Sequence, residues 1–288
     1  MHPTFAIVSP RGERIELATS SASASPFHLD DETTGLGFVG REVQVSASTG
    51  DGGRLRATRT ASRTFKLVVD VWGRTVAARD ENLATLARVV RRVTGFPLPR
   101  LQATMPDGVV FELPFVHEGG GDDLKRIVAG GPQVVPLACI APDPYWVARD
   151  ATPYVIEGLQ STGTFLPKLA QMHLTSSASS GILYVENDGD ADALPVWQLT
   201  GPTTLATIAL GTRRFTIGPL AAGDVVTIDT AARTATFANG SNAYQLFGPA
   251  PYLFPIPPGS NELGVVMKDA TAKTSAVCFF RPRKEVIL

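Results

Sequence analysis

The sequence Pro257-Pro258-Gly259-Ser260-Asn261-Glu262-Leu263, with the ending Phe279-Phe280-Arg281-Pro282-Arg283, decides the architecture of this chain. A Pro-Pro-Gly turn cannot continue a strand, because proline lacks a backbone donor and glycine accepts a tight backbone path. Residues 263–267 and 276–280 are apolar, and the short polar segment 269–274 between them is typical of a hairpin connection. We therefore expect two strands that close a sheet. A basic tail follows them: Arg281, Arg283 and Lys284.

Length and composition favour a two-domain globular protein. The chain has 288 residues, which exceeds the usual size of one domain. Charged residues make up 18% of it, below the usual quarter, which suggests that partners cover part of the surface. The net charge of −1 lacks the basic excess of a nucleic-acid-binding protein, so we expect no sequence-specific nucleic-acid partner.

The two cysteines and the lengths of the apolar segments indicate the cellular compartment in which the protein is made. Cys139 and Cys278 each lie in an apolar run, which favours two buried thiols over a disulfide. No apolar run reaches about 18 residues, and the N-terminus lacks the charged-then-apolar pattern of a signal peptide. We expect a protein that is made in the cytoplasm and is not embedded in a membrane.

The first half reads as strands around one helix. Residues 1–17 predict a hairpin, and in residues 63–72 the apolar side chains alternate with polar ones, the pattern of a half-buried strand. Helical spacing of apolar residues predicts a helix over about 80–94, with Asp80 as its cap. Glycine-rich segments at 50–53 and 119–121 predict loop tips, and we assign them no role.

The second half predicts a β-sandwich. Two prolines and two aromatics in Pro142-Asp143-Pro144-Tyr145-Trp146 are typical of a rigid joint between domains. Short apolar strands then recur with Gly or Asn turns between them, the spacing of a sandwich. We expect domains at 1–148 and 149–288.

Several of these motifs resemble those of the distal tail proteins of long-tailed, non-contractile bacteriophages. The family's closing pattern matches Leu253, Pro258, Gly259, Asn261, Phe280, Arg281, Pro282 and Arg283. Its other motifs are similar to the strands and helix that follow Gly40, the joint at 143–146, the turn 187–189 with the strand 195–201, and the hairpin 228–233. Five motifs in the family's order cover most of the chain.

The resemblance implies a mainly β chain: an N-terminal β-rich, ring-forming domain with one helix, then a galectin-like or carbohydrate-module-like β-sandwich. It implies a structural virion protein at the phage tail tip, assembled in the host cytoplasm. The implied partners are further copies of the chain in a ring, usually a hexamer, the tail tube protein, the tape-measure protein, and tail-tip or receptor-binding proteins. It implies no cofactor and no enzymatic activity.

No sequence motif points to catalysis or to a resident metal. The four histidines share no metal-ligand spacing, and no nucleophile elbow, P-loop or dinucleotide fingerprint occurs. Asp188, Asp190 and Asp192 alternate like calcium ligands, but Leu199 stands where a calcium loop needs glutamate. We predict a solvated turn there, and no catalytic, cofactor-binding or metal residues.

Two sets of residues are candidates for binding. The first set consists of cations, which suit contacts with a neighbouring subunit, a neighbouring ring, the tube or passing DNA. For the arginines between residues 54 and 63, a solvated strand face is the alternative. Trp197 and Tyr184 are candidates for a glycan-stacking platform, although the apolar strand around Trp197 favours core packing. A glycan-binding host-recognition module and a glycan-cleaving enzyme are the alternative functions. The candidate interface cations are Arg54, Arg56, Arg59, Arg63, Arg281, Arg283 and Lys284.

Overall fold

The structure is a computed structural model, and it describes residues 3–19, 24–121, 131–157 and 178–287. The chain forms two compact units. Residues 1–149 and 283–288 make the first unit, and residues 150–282 make the second. The predicted mainly β fold is confirmed, since most elements are antiparallel strands and the described residues contain one α-helix.

Two antiparallel sheets form the body of the first unit. One has the strand order β2-β1-β7-β8-β11-β21, and the other has the order β3-β6-β10-β9. Strands β4 and β5 form a separate two-stranded sheet. The strands are β1 (Thr4–Val8), β2 (Arg14–Leu17), β3 (Phe27–Leu29), β4 (Arg41–Ala47), β5 (Gly53–Thr60), β6 (Arg63–Val71), β7 (Arg100–Thr104), β8 (Val110–Pro114), β9 (Val116–Gly119), β10 (Gln133–Ala141), β11 (Trp146–Ala148) and β21 (Arg283–Lys284).

The core of the first unit follows the alternation that the sequence predicts. Phe65, Leu67, Val69 and Val71 of β6 are buried, whereas Lys66 lies on the exposed face. They pack in one cluster with apolar residues of both sheets, and that cluster includes Ile287 from the last residues of the chain. The predicted hairpin near the N-terminus is also confirmed, because β1 and β2 pair from Phe5↔Leu17 to Val8↔Arg14.

The helix α1 spans Val76–Val90 and begins earlier than predicted. Thr75 is its N-cap, and the Thr75 hydroxyl oxygen accepts a hydrogen bond from the amide of Ala78 at 3.1 Å. The assignment of Asp80 as the cap was wrong, because Asp80 lies inside the helix. Threonine and aspartate are both capping residues, so residue type alone did not distinguish the two positions.

The second unit is a sandwich of two antiparallel sheets. The strand orders are β12-β20-β14-β17-β18 and β13-β19-β15-β16. A buried cluster of side chains from both sheets fills the space between them, with Trp197, Phe215 and Phe254 among its largest members. The strands are β12 (Thr152–Glu157), β13 (Ala178–Asn187), β14 (Val196–Thr200), β15 (Leu205–Leu210), β16 (Arg213–Ile217), β17 (Val225–Asp229), β18 (Thr234–Phe237), β19 (Gly259–Lys268) and β20 (Ser275–Phe280), and a 3-10 helix spans Tyr244–Leu246.

The predicted terminal hairpin was wrong in its pairing. Both strands exist, but β19 pairs with β13 and β15, whereas β20 pairs with β12 and β14. The connection therefore crosses from one sheet of the sandwich to the other. The basic tail then joins the first unit, where β21 pairs with β11 through Val147↔Arg283. Apolar alternation locates a strand but does not say which sheet receives it.

Candidate assembly surfaces

A hairpin of residues 41–60, hereafter the arm, carries three of the candidate cations. Its strands β4 and β5 pair from Arg41↔Thr60 to Ala47↔Gly53, with a register shift between Gln44 and Val45. Nearly every residue of the two strands is exposed. An isolated two-stranded hairpin is only marginally stable in water, so an exposed arm of this length is typical of a segment that packs against a partner.

The two faces of the arm differ in chemistry. Val45 lies opposite Leu55, and Val43 lies on the same face two residues away. The exposed fractions of these side chains are 56% for Val43, 60% for Val45 and 62% for Leu55. These three residues are called the apolar face of the arm, and large exposed apolar side chains grouped in this way mark interaction surfaces.

The opposite face carries charge. The guanidinium of Arg59 donates to the carboxylate of Glu42, its cross-strand partner, at 2.6 Å and 3.2 Å. This hydrogen bond holds the pKa of Glu42 below its usual value. Arg56 donates from Nε to the hydroxyl of Ser46 at 2.9 Å, and Arg54 is exposed near the tip. The structure thus brings Arg54, Arg56 and Arg59 together on one hairpin.

Arg63 does not belong to this surface, and its proposed interface role needs correction. Its side chain is buried, with 3% of the residue exposed. The guanidinium donates to four backbone carbonyls, those of Gly35, Gly37, Pro144 and Glu285, at 2.6–3.2 Å. Burial lowers the pKa of Arg63, opposed by the charge of Glu285. The side chain ties together segments of the first unit and is not available to a partner.

The C-terminal cations also differ in their surroundings. Arg283 pairs with the carboxylate of Asp143, and its guanidinium lies 4.5 Å from the centre of the Tyr145 ring. The Nζ atom of Lys284 lies 5.2 Å from the centre of the Phe111 ring. These two side chains make contacts inside the first unit, whereas Arg281 is exposed.

A second unusual surface lies on β10. In an antiparallel sheet with one face in water, residues on that face are usually polar. The outward positions of β10 are instead Val134, Pro136, Ala138 and Ile140, hereafter the β10 stripe, and none of the four is buried. The inward positions, such as Val135 and Leu137, belong to the core. The strand is therefore apolar on both faces.

Charged side chains of β6 border this stripe. Asp70 is the cross-strand partner of Val134, and Lys66 lies further along the same face of β6. The Oδ1 atom of Asp70 is buried, and within the described residues this atom has no hydrogen-bond partner. Burial raises the pKa of Asp70, the nearby charge of Asp30 raises it further, and the charge of His28 opposes this shift. A carboxylate in this position would gain from a cation supplied by a partner.

Four arginines line a cavity of about 580 Å³ at the end of α1. Arg88 donates to both carboxylate oxygens of Glu13, at 2.6 Å and 3.0 Å, and the guanidinium of Arg11 lies 5.6 Å from the centre of the Phe96 ring. Arg91 and Arg92 complete the set. Arg88 lies in the last turn of α1, Arg91 and Arg92 follow it, and Arg11 comes from the β1–β2 turn, so no local sequence signal identifies this set.

The candidate glycan platform does not form in the second unit. Trp197 is fully buried and packs edge-to-face on Phe215, with ring centres 6.3 Å apart. Tyr184 is 67% exposed, so the two rings do not share a surface. Core packing of Trp197 was the favoured interpretation, and it is confirmed.

The remaining chemical candidates have structural roles. Asn187 is buried and donates from Nδ2 to the carbonyls of Ala191 and Ile256, which fixes the turn that carries the aspartates. Across the ranges that the structure describes, no group of three or more His, Cys, Asp or Glu residues is arranged to hold a metal ion. Cys139 and Cys278 are free and buried, as predicted. His2 and His173 lie outside the described residues.

No helix among the described residues combines the length and the apolar character that a membrane crossing requires.

Comparison with solved structures finds the same fold in phage tail components. The Dit protein of phage SPP1, described as a paradigm of the hub adsorption apparatus in phages that infect Gram-positive bacteria, aligns with a TM-score of 0.65 and 14% identity. The alignment covers 97% of this chain and 98% of that one. Two structures of the phage p2 baseplate in its activated conformation, with calcium and with strontium, align over 99–100% of each chain with TM-scores of 0.53 and 0.51 at 9% and 8% identity.

No protein-family model matches the sequence, and no curated protein sequence matches it. The expected resemblance to phage tail hub proteins is confirmed at the level of the fold, over both units.

Proposed function

We propose that this chain is a structural virion protein, the distal tail hub of a long-tailed phage or of a related tail-like particle. One observation carries the proposal: the SPP1 hub protein shares the fold over nearly the whole of both chains. An alignment of one sandwich alone would be weak, because common folds serve many functions. Here both units align, in the same order, with a protein described as part of an adsorption hub.

The protein acts by geometry. A ring requires each subunit to present two different, complementary faces, so that every copy contacts the next in the same way until the ring closes. In our proposal the N-terminal domain, residues 1–148, forms the ring, and it joins the tail tube to the tail-tip or baseplate proteins around the tape measure. The sandwich of residues 150–282 extends the hub, and residues 283–288 return to the first unit.

The candidate contacts are the exposed cations. Arg54, Arg56 and Arg59 on the arm, and Arg281, remain available to a neighbouring subunit or ring. The protein catalyses nothing in this proposal, and it needs no cofactor. Its similarity to baseplate components supports an assembly role in the virion.

The test is the mass of the purified chain in solution, measured by light scattering near physiological salt. A hub ring predicts a mass of about six times 30.5 kDa and, in electron micrographs, a ring viewed down its axis. If the chain stays monomeric, the same measurement is repeated with the tail tube protein of the same phage added. A chain that forms no ring in either sample contradicts the proposal.

A glycan-binding host-recognition module is the second candidate, and one observation favours it. Tyr184 presents an exposed ring on the outer surface of the sandwich, as a sugar-stacking residue must. A stable monomer that binds glycans, and loses that binding in Tyr184→Ala, would replace the hub proposal.

A further inference from the structure

We infer that the apolar face of the arm docks on the β10 stripe of a second copy of this chain. The inference rests on the proposed function, because it assigns the two complementary faces that a ring requires. No described segment of the same chain covers either surface. Val43, Val45 and Leu55 are more than half exposed on the arm, and the β10 stripe is apolar where an exposed sheet face is normally polar.

The occupant is a second copy, because the described part of a single chain leaves both surfaces open. The arm does not cover its own stripe, since Val45 and Val134 are both exposed in the same chain. Two complementary surfaces on one subunit produce head-to-tail contacts, in which the arm of one copy reaches the stripe of the next. Such contacts close into a ring when a whole number of equal rotations between copies completes one full turn.

Dimensions favour this pairing. Strand β5 has eight residues, so the arm is about 25 Å long at the usual strand rise. The stripe runs from Val134 to Ile140, which is about 20 Å by the same rise. The arm is long enough to lie along the stripe, and its apolar residues, two strand positions on β4, cover about 7 Å of that length.

Charge does not decide this pairing. The arginines near the arm tip lie on the charged face, opposite the apolar face, so they stay in water when the apolar face docks. Beside the stripe, β6 presents both signs of charge, with Asp70 and Lys66. The docking therefore depends on apolar packing.

The first experiment compares two double variants that change cross-strand partners on opposite faces of the arm. Val45→Thr/Leu55→Thr makes the apolar face polar and keeps β-branched residues that suit a strand. Gln44→Thr/Ala57→Thr makes a matched change on the other face. By light scattering, we expect the first variant to lose the high-mass species and the second to retain it, while circular dichroism shows both folded.

The second experiment detects the contact directly. One tagged chain carries Val45→Cys and another carries Val134→Cys, and the two are mixed and treated with a short bis-maleimide. Cys139 and Cys278 are buried, and burial raises the pKa of Cys139 to about 12, so the native thiols react slowly. We expect the dimer that joins a Val45→Cys chain to a Val134→Cys chain to form in higher yield than either dimer of two identical variants.

The outcomes separate the two proposals. Cross-linking captures brief contacts, so it tests the docking even if the wild-type chain is monomeric by light scattering. If the ring forms but the mixed product is absent, or if Val45→Thr/Leu55→Thr still assembles, the docking inference is overturned and the hub proposal stands. If no ring forms with or without the tube protein, the hub proposal fails, whatever the cross-linking shows.

Discussion

The Nη2 atom of Arg63 donates a 2.6 Å hydrogen bond to the backbone carbonyl of Glu285, which lies 222 residues further along the chain. The same guanidinium donates to the carbonyl of Pro144 and to two carbonyls of the loop before the arm. Three distant parts of the sequence are therefore held by one buried side chain. Glu285 adds to this connection, because its carboxylate accepts from the amide of Val39 and from Arg41.

We predict that Arg63→Ala destabilises the chain by about 3 kcal/mol, because it leaves buried carbonyls without donors. Arg63→Lys keeps the charge but lacks the planar group that reaches several carbonyls, so its loss should be intermediate. Urea unfolding monitored by fluorescence measures both. The control is Arg54→Ala on the exposed arm, which should change the free energy of unfolding by less than about 0.5 kcal/mol. Equal effects of Arg63→Ala and Arg54→Ala would refute the structural role.

Removal of the helix cap should lower the free energy of unfolding by a measurable amount. Thr75→Ala deletes the oxygen that accepts from the amide of Ala78, and we expect a loss of about 1 kcal/mol. Asp80→Ala is the control, because Asp80 is exposed inside the helix and caps nothing. The free energy of unfolding from urea titration gives the comparison. A larger loss for Asp80→Ala than for Thr75→Ala would place the start of the helix later.

The pKa of Asp70 predicts a pH dependence. Burial, followed by the charge of Asp30, raises this pKa, and the opposing charge of His28 does not cancel the rise. The folded chain therefore binds the proton more tightly than the unfolded chain does. The resulting stabilisation is present at pH values below the pKa of the unfolded state, about 3.9, and is lost as the pH rises through the pKa of the folded state. We therefore expect Asp70→Asn to be more stable than the wild type at pH 7, with the difference shrinking toward pH 4.

Unfolding curves of both chains between pH 4 and pH 8 make this measurement. Asp51→Asn removes the same charge from the exposed tip of the arm and serves as the control. If the wild type is as stable as Asp70→Asn at pH 7, or more stable, a favourable contact must compensate the burial of this carboxylate.

The two aromatic candidates of the second unit should behave in opposite ways. Trp197→Ala removes a fully buried ring from the sandwich core, and we expect a loss of about 3–5 kcal/mol or failure to fold. Trp197→Phe, which keeps an aromatic ring, should be tolerated better. Tyr184→Ala should change stability by less than about 0.5 kcal/mol, because the ring is mostly in water. Thermal unfolding ranks the three variants, and a large effect of Tyr184→Ala would contradict its exposure.

The sequence predicted the elements better than their pairing. Alternation in β6 and the apolar runs of β19 and β20 depend on burial of one face, and each was located correctly. The partners of β20 depend on contacts with strands far away in sequence, such as β12 and β14, and no local pattern encodes them.

The candidate surfaces show the same limit. A run of four arginines looked uniform in the sequence, yet Arg54 is exposed on a hairpin and Arg63 is buried among backbone carbonyls. The difference is where the chain turns after Thr60. The continuous apolar character of β10 is visible in the sequence, but only the fold shows that one apolar face is open.

The pairing of Val147 with Arg283 makes the sandwich an insertion. The chain leaves the first unit after β11 and returns to it on the neighbouring strand, so the two junctions are adjacent in space. Excision of residues 150–282 and closure by a short linker would leave every strand of the host domain in its original connectivity. The sandwich is therefore a removable insertion, because its excision would break no strand pairing of the host domain.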